Sequence, residues 1–389
     1  MKIIRPITLT DAMLVSSNVP ETDYTEFAMG TTYAEDDYCM VATGLEILTL
    51  DVAPASDWAA GDILTGQTSA KTCVCVAKLT ALTYQVRERS GAFTLGEIIG
   101  VTGVGAKLAD QGAAHPTITA ATDKVHKVYQ SLAAGNVGNY PPTDVLATVP
   151  KWVEVSSTNR WKAFDTKTNS QTSQATSITY SITPGQVFDS IAFLNLEAAT
   201  VRVVLTDPVD GVVYDETINL LDVTLTGTEP EMDWYAYFFS EITMVTDLAR
   251  LGISLYLNTT LDITITYTGG TAKVGTIVFG KQMSIGDTQY SPSVGIMDYS
   301  VKDTDAFGNT VITERAYADK MSCDVVIPTN SIPYIKRLLA SYRATLILYV
   351  GADETTYPSM IMLGFYRDFN IVFSYPAFAI CSIEIEGIT

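Results

Sequence analysis

Asp303, Asp305, Gly308 and Glu314, within DTDAFGNTVITE, fall at positions 1, 3, 6 and 12 of a calcium-binding loop, which needs oxygen ligands around one sharp turn. Phe307 stands where a ligand oxygen is required, and the flanks SVGIMDYSVK and RAYADKMS read as strands where a calcium loop has helices. The residues favour a plain hairpin turn, with calcium at Asp303, Asp305 and Glu314 as the alternative. Asp207, Asp210 and Asp215 pose the same question in a second turn. Carboxylate pairs also cut glycosidic bonds, but their separation is a three-dimensional quantity, and among 43 acidic residues any two are uninformative. The two histidines, His115 and His126, lie in different segments and in no catalytic or zinc motif. GVGAKLADQG lacks the third glycine of a dinucleotide loop and the Gly-Lys-Ser/Thr of a phosphate loop. Five widely spaced cysteines (Cys39, Cys73, Cys75, Cys323, Cys381) read as buried, reduced thiols. No catalytic residues, cofactor or metal centre are expected.

Aromatic side chains are the remaining functional candidates. HKVYQSLAAGNVGNYPPTDVLATVPKWVEV sets Tyr129, Tyr140 and Trp152 around a Gly/Asn/Pro loop. Rigid aromatic faces stack on the C–H face of a sugar ring at small entropic cost, so these three are candidate glycan-binding residues. The opposing reading places them in a small core.

The elements that must position such residues are strands. Runs such as TSITYSI, ATVRVVLTD, DITITYTG and CDVVIP alternate apolar and polar residues between Gly, Pro, Asn and Asp breaks, the period-two pattern of antiparallel sheet. Asp210-Gly211 suits a hairpin turn. One helix is expected near 331–343 in NSIPYIKRLLASYRA, with Asn330 or Ser331 as cap, Pro333 in the first turn and Ile335, Leu338, Leu339 and Tyr342 on one face. With 47% hydrophobic and 17% charged residues the chain has ample core material. A net charge of −19 without a segregated basic run argues against nucleic acid, and no apolar run approaches the roughly 18 to 20 residues of a membrane helix. Arg5 and Pro6 interrupt the place of a secretory signal.

The fold expected is mainly β and multi-domain. Residues 1–50 and 123–155 each have too few apolar side chains to close a core alone and read as halves of one split β module. The insert, 51–122, carries an internal echo, AGDILTGQTSAKTCVCV from Ala60 and LGEIIGVTGVGAKLA from Leu95, offset by 35 residues. Residues 156–280 read as a β-sandwich, and 281–389 as mixed β with the single helix.

Two resemblances sharpen this. FAMGTTYAEDDYCMVATG, followed after the insert by HKVYQSLAAGNVGNYPP and KWVEV, resembles the small chitin- and cellulose-binding modules, although Ser131 and Leu132 stand where those modules carry a second exposed tryptophan. Over a wider span, STNRWKAFDTKTNSQT, VRVVLTDPVDGVVYDETI, WYAYFF, GTIVFGKQMSIGDTQYSPSVGIMDYSVKDTDAFGNT, RAYADKMSCDVVI, GFYRDFNIVFSYP and CSIEIEGIT are similar to a family of tail proteins of long-tailed, siphovirus-like bacteriophages and prophages. NRWKAFD opens a segment resembling galactose-binding-like jelly rolls. Membership implies a non-enzymatic virion component of the tail tip or baseplate, made in the bacterial host cytoplasm. Its partners would be other tail proteins and copies of itself in a trimeric or hexameric ring, with no nucleic acid and no membrane insertion. Recognition of a host-surface glycan is the alternative, and a polysaccharide-degrading enzyme a more distant one.

Overall fold

Strands form wherever the period-two pattern runs, and the chain is mainly β. The computed structural model describes all residues except 28–30, 43–45, 51–52, 55, 60, 69, 79, 88–97, 102–116, 122–124, 222–243, 305–306, 353–357 and 389. It divides into two compact units, Met1–Pro20 with Asn159–Thr389, and Glu21–Thr158. Among the described residues no helix is long and apolar enough to cross a membrane.

The first unit begins with β1 (Lys2–Pro6) and β2 (Leu14–Ser17). The second unit then supplies β3 (Tyr38–Val41), β4 (Glu46–Thr49), β5 (Ile63–Gly66), β6 (Thr72–Lys78), β7 (Thr83–Arg87), β8 (Ile99–Val101), β9 (Thr117–Ala121), β10 (Lys127–Ser131), the one-turn helix α1 (Pro141–Asp144) and β11 (Trp152–Ser157). β3, β10 and β11 make a three-stranded sheet ordered β11-β10-β3, closed across the intervening segment by pairs such as Tyr129 with Cys39. The intervening strands form a six-stranded sheet, β8-β5-β6-β7-β4-β9. The two echo segments meet there: β5 and β8 pair antiparallel, Leu64 opposite Val101. Leu48, Trp58, Leu64, Cys73, Cys75, Tyr84, Val86 and Ile99 fill that sheet's core. The remainder of the second echo lies outside the described residues.

In the first unit the chain resumes with β12 (Thr172–Ile182), β13 (Ser190–Glu197), β14 (Thr200–Asp207), β15 (Gly211–Asn219), β16 (Leu248–Leu251) and the 25-residue β17 (Thr260–Ser284). Alternate residues Ile178, Tyr180, Ile182, Val201, Val203, Leu205, Leu261, Ile263 and Ile265 are buried in one core. Each such side chain contributes about 1.5–3 kcal/mol over its exposed state. β17 bends at Gly269-Gly270, where Gly269 has φ +81°. Its partner β12 shifts register at the same level, with Thr176 at φ 68°. Paired irregularities of this kind curl a sheet.

β17 runs through residue 280 to Ser284, so the segments read as separate domains, 156–280 and 281–389, share one fourteen-stranded sheet. The N-terminal strand belongs there as well, not with the small module: β1 pairs with β17 on one side and β23 (Ile347–Val350) on the other, and Ile3 and Ile4 are fully buried. A strand buried on both faces has no alternation to announce its partners, which is why KII carried no such signal. Beyond β1 the sheet continues through β23, β24 (Ile361–Val372), β25 (Phe378–Gly387) and β22 (Tyr317–Pro328) to β18 (Asp287–Thr288). Helix α2 (Ile332–Ser341) covers this part, burying Ile332, Ile335 and Leu339 with Val325, Ile327, Cys381 and Ile383. Pro333 lies in its first turn as expected, but Ser331 caps it without a side-chain bond; a 3-10 turn over Thr329–Ser331 leads in instead. The hairpin from β19 (Ser293–Asp298) through β20 (Val301–Thr304) and β21 (Thr310–Thr313) returns into β22.

Candidate functional site

The small module's aromatic residues form a core. Trp152 and Tyr129 are each 1% exposed, and Tyr140 is half-buried against the same cluster of Phe27, Tyr33, Cys39 and Val41. Tyr33 and Phe27 meet the Trp152 ring edge-on, with centroids at 5.0 and 6.0 Å. The Gly/Asn/Pro loop wraps this core. Gly135 and Gly138 turn it with φ of +71° and +74°. Trp152 Nε1 donates to the Asn139 carbonyl at 2.9 Å, and Asp144 Oδ2 accepts from the backbone N–H groups of Lys151 (2.6 Å) and Trp152 (3.0 Å). Burial pushes the Tyr140 phenol up to about 12, with Glu26 adding to the shift, and raises Tyr129 further. A sugar ring needs an open aromatic face, and Tyr129 and Trp152 offer none. The structure brings the three candidates together, but inside the module.

On this unit's surface, Tyr24 and Tyr38 are 43% and 37% exposed and stack with centroids 5.1 Å apart and planes 18° apart. Sequence reasoning missed this pair. Tyr38 heads β3, whose other three residues are buried, and nothing in the sequence marks it as outward or brings Tyr24 to it.

His126 is 8% exposed, with Nδ1 2.8 Å from Glu21 Oε1, which also accepts from the Thr158 hydroxyl at 2.6 Å. The hydroxyl bonds the carboxylate and not the imidazole, so this is not the nucleophile–base order of a triad. It ties Glu21 and Thr158, the two ends of the unit, to β10. His115 lies outside the described residues. All five cysteines are buried. Desolvation lifts Cys39 to about 12 and Cys323 and Cys381 to about 11, so these three remain protonated thiols at neutral pH.

DTDAFGNTVITE forms the hairpin β20–β21, in which Asp303 pairs with Val311 and Thr313 with Val301. Glu314 follows Thr313, so it lies about three residues, or about 10 Å, along the ladder from Asp303. Asp305 lies outside the described residues, and among the described residues no group of three or more Asp, Glu, His or Cys could hold a metal ion.

A polar pocket of about 190 Å³ lies in the first unit, lined among others by Thr168, Asn195, Thr246, Asp247, Tyr317 and Asp319. Asn195, at φ 54° between Leu194 and Leu196 of β13, lies across from Gly275, where a side chain would meet the Thr168 carbonyl at 2.7 Å. Asp247 accepts from the Asn195 N–H (3.0 Å) and the Thr246 hydroxyl (2.8 Å). Desolvation raises both carboxyls, and the Asp319 charge adds to the shift at Asp247. Two acids facing one pocket can take up protons; among the described residues that line it there is no Ser–His or Cys–His pair. Asn195 inside an otherwise apolar strand was the sequence clue, since Asn tolerates the left-handed region better than other side chains.

The hairpin differs from these sites in its exposure. All eight residues of β20 and β21 are exposed, including Val301, Val311 and Ile312, and Phe307 at the tip is 91% exposed. At its root, Ser293–Asp298 pairs with Tyr317–Ser322, so the arm continues the main sheet. Tyr299, Tyr317, Val294 and Ile296 extend the exposed apolar surface along it. No protein-family model matches the chain, and no curated protein matches it.

Proposed function

We propose that this chain is a structural component of a bacteriophage tail tip or baseplate, incorporated as a symmetric ring through folded β surfaces. The observation that carries the reading is the arm. A two-stranded hairpin exposed on both faces is at best marginally stable in water, and large apolar side chains along it make sense when another protein covers them. The resemblance of the sequence words between Ser157 and Thr389 to those of tail proteins supplies the setting. The test is assembly. With Tyr299–Ala316 replaced by a two-residue turn, the protein should remain folded and soluble yet be lost from purified particles, as read by mass spectrometry of virions. Normal incorporation of the shortened chain would overturn the reading.

A second reading, host-glycan recognition, draws support from the exposed Tyr24–Tyr38 stack. It predicts that binding on a glycan array disappears in Tyr24→Ala and in Tyr38→Ala; no binding by the parent protein would end it.

A further inference from the structure

We infer that the arm pairs with a second copy of this chain along the outer edge of β21, in an antiparallel two-fold contact. The inference rests on the arm's role in assembly and names its partner. β20 and β21 pair only with each other among the described residues, so each has a second edge with no strand on it. Charge decides which edge can accept its own copy. When a strand pairs antiparallel with itself about a two-fold axis, one residue must face its own counterpart. On β20 (VKDT) a central axis falls at Lys302 or Asp303 and sets like charges opposite each other, which is destabilising. On β21 (TVIT) it falls at Val311 or Ile312, which are 61% and 65% exposed, and sets two β-branched apolar residues face to face.

Both registers satisfy the flanking positions. With Val311 on the axis, Thr310 faces Ile312; with Ile312 on the axis, Val311 faces Thr313. β21 also lacks the usual guards of an open edge, having no lysine, no proline and no bulge. The neighbouring open strand β19 is less suited, since Gly295 interrupts its centre and it ends on Asp298. Pairing converts two hairpins of marginal stability into one four-stranded sheet, past the roughly three strands at which a sheet can stand by itself. Such a contact is isologous, so it joins two copies, or two rings face to face, and does not itself close a ring of three or six.

The test is site-specific cross-linking of the full-length protein. The native thiols are all buried and do not compete. Val311→Cys or Ile312→Cys should form a covalent dimer under mild oxidation in at least half of the chains, with Lys302→Cys giving at least fivefold less. In light scattering, Ile312→Lys should reduce by half or more any species that the parent forms by pairing; circular dichroism checks that the fold is intact. Equal or absent cross-linking at the three positions, or an unchanged mass in Ile312→Lys, overturns the second-copy contact. If cross-linking fails while the arm-deleted chain is still lost from particles, the arm docks on a different tail protein, and only the identity of the partner falls. If the arm-deleted chain enters particles normally, the assembly reading falls by itself.

Discussion

The loop-wrapped core of the small module and the arm of the larger unit use residue types against expectation. The module holds Tyr129, Tyr140 and Trp152, side chains suited to ligands, and turns two of them fully inward. The arm holds Val301, Val311 and Ile312, side chains suited to cores, and turns them outward. Residue type therefore says less about function here than what is packed against each element: the module has a loop folded over its sheet, whereas all eight strand residues of the arm are exposed.

The widest test of that contrast is to truncate one apolar side chain in each region. Trp152→Ala should cost about 3–5 kcal/mol by denaturant unfolding, because it empties the centre of the module and removes the partner of the Asn139 carbonyl. A loss below about 1 kcal/mol would mean that the ring is not a core residue. Asp144→Ala comes next, at about 1–3 kcal/mol, since two backbone donors at 2.6 and 3.0 Å lose a charged acceptor. Ile312→Ser, on the arm, should stay within about 0.5 kcal/mol when the protein is dilute. A larger loss would show that the arm packs within its own chain.

Much of the fold was legible because alternation is a local property. β12, β14, the first half of β17 and β22 lie where their patterns placed them, and α2 buries Ile335 and Leu339 on the face that its spacing marked out. The pairing of the small module's halves was legible too, since neither could close a core alone; β3 and β10 meet across the six-stranded sheet. What stayed hidden was non-local. β1 gave no sign that it would join β17 and β23 hundreds of residues away. The aromatic residues of the Gly/Asn/Pro loop could be recognised, but not the direction they faced, because direction depended on Phe27 and Tyr33 closing over them. The pocket between Asp247 and Asp319 required residues from β22 and from the approach to β16 to converge, which no spacing in the sequence encodes.

Asp247 sharpens the comparison at its midpoint, being neither a core residue nor fully open to solvent. Desolvation and the neighbouring Asp319 charge raise its carboxyl above the ordinary value of 3.8. An acid whose folded-state affinity for protons exceeds its unfolded one binds more protons when folded, so protonation favours the fold. Its contribution is fully present below the ordinary carboxyl value and is lost as pH rises through the raised one. At pH 7 to 8 the charged form therefore carries a penalty that Asp247→Asn removes, while the amide oxygen can still accept from the Asn195 N–H. The variant should melt about 1–2 °C higher than the parent at pH 8, a fraction of a kcal/mol for a unit of this size. That advantage should shrink toward zero as the pH approaches about 4. Melting curves by scanning fluorimetry between pH 4 and 8 check it, and a difference that does not vary with pH would show that the pocket leaves Asp247 as well solvated as a surface acid.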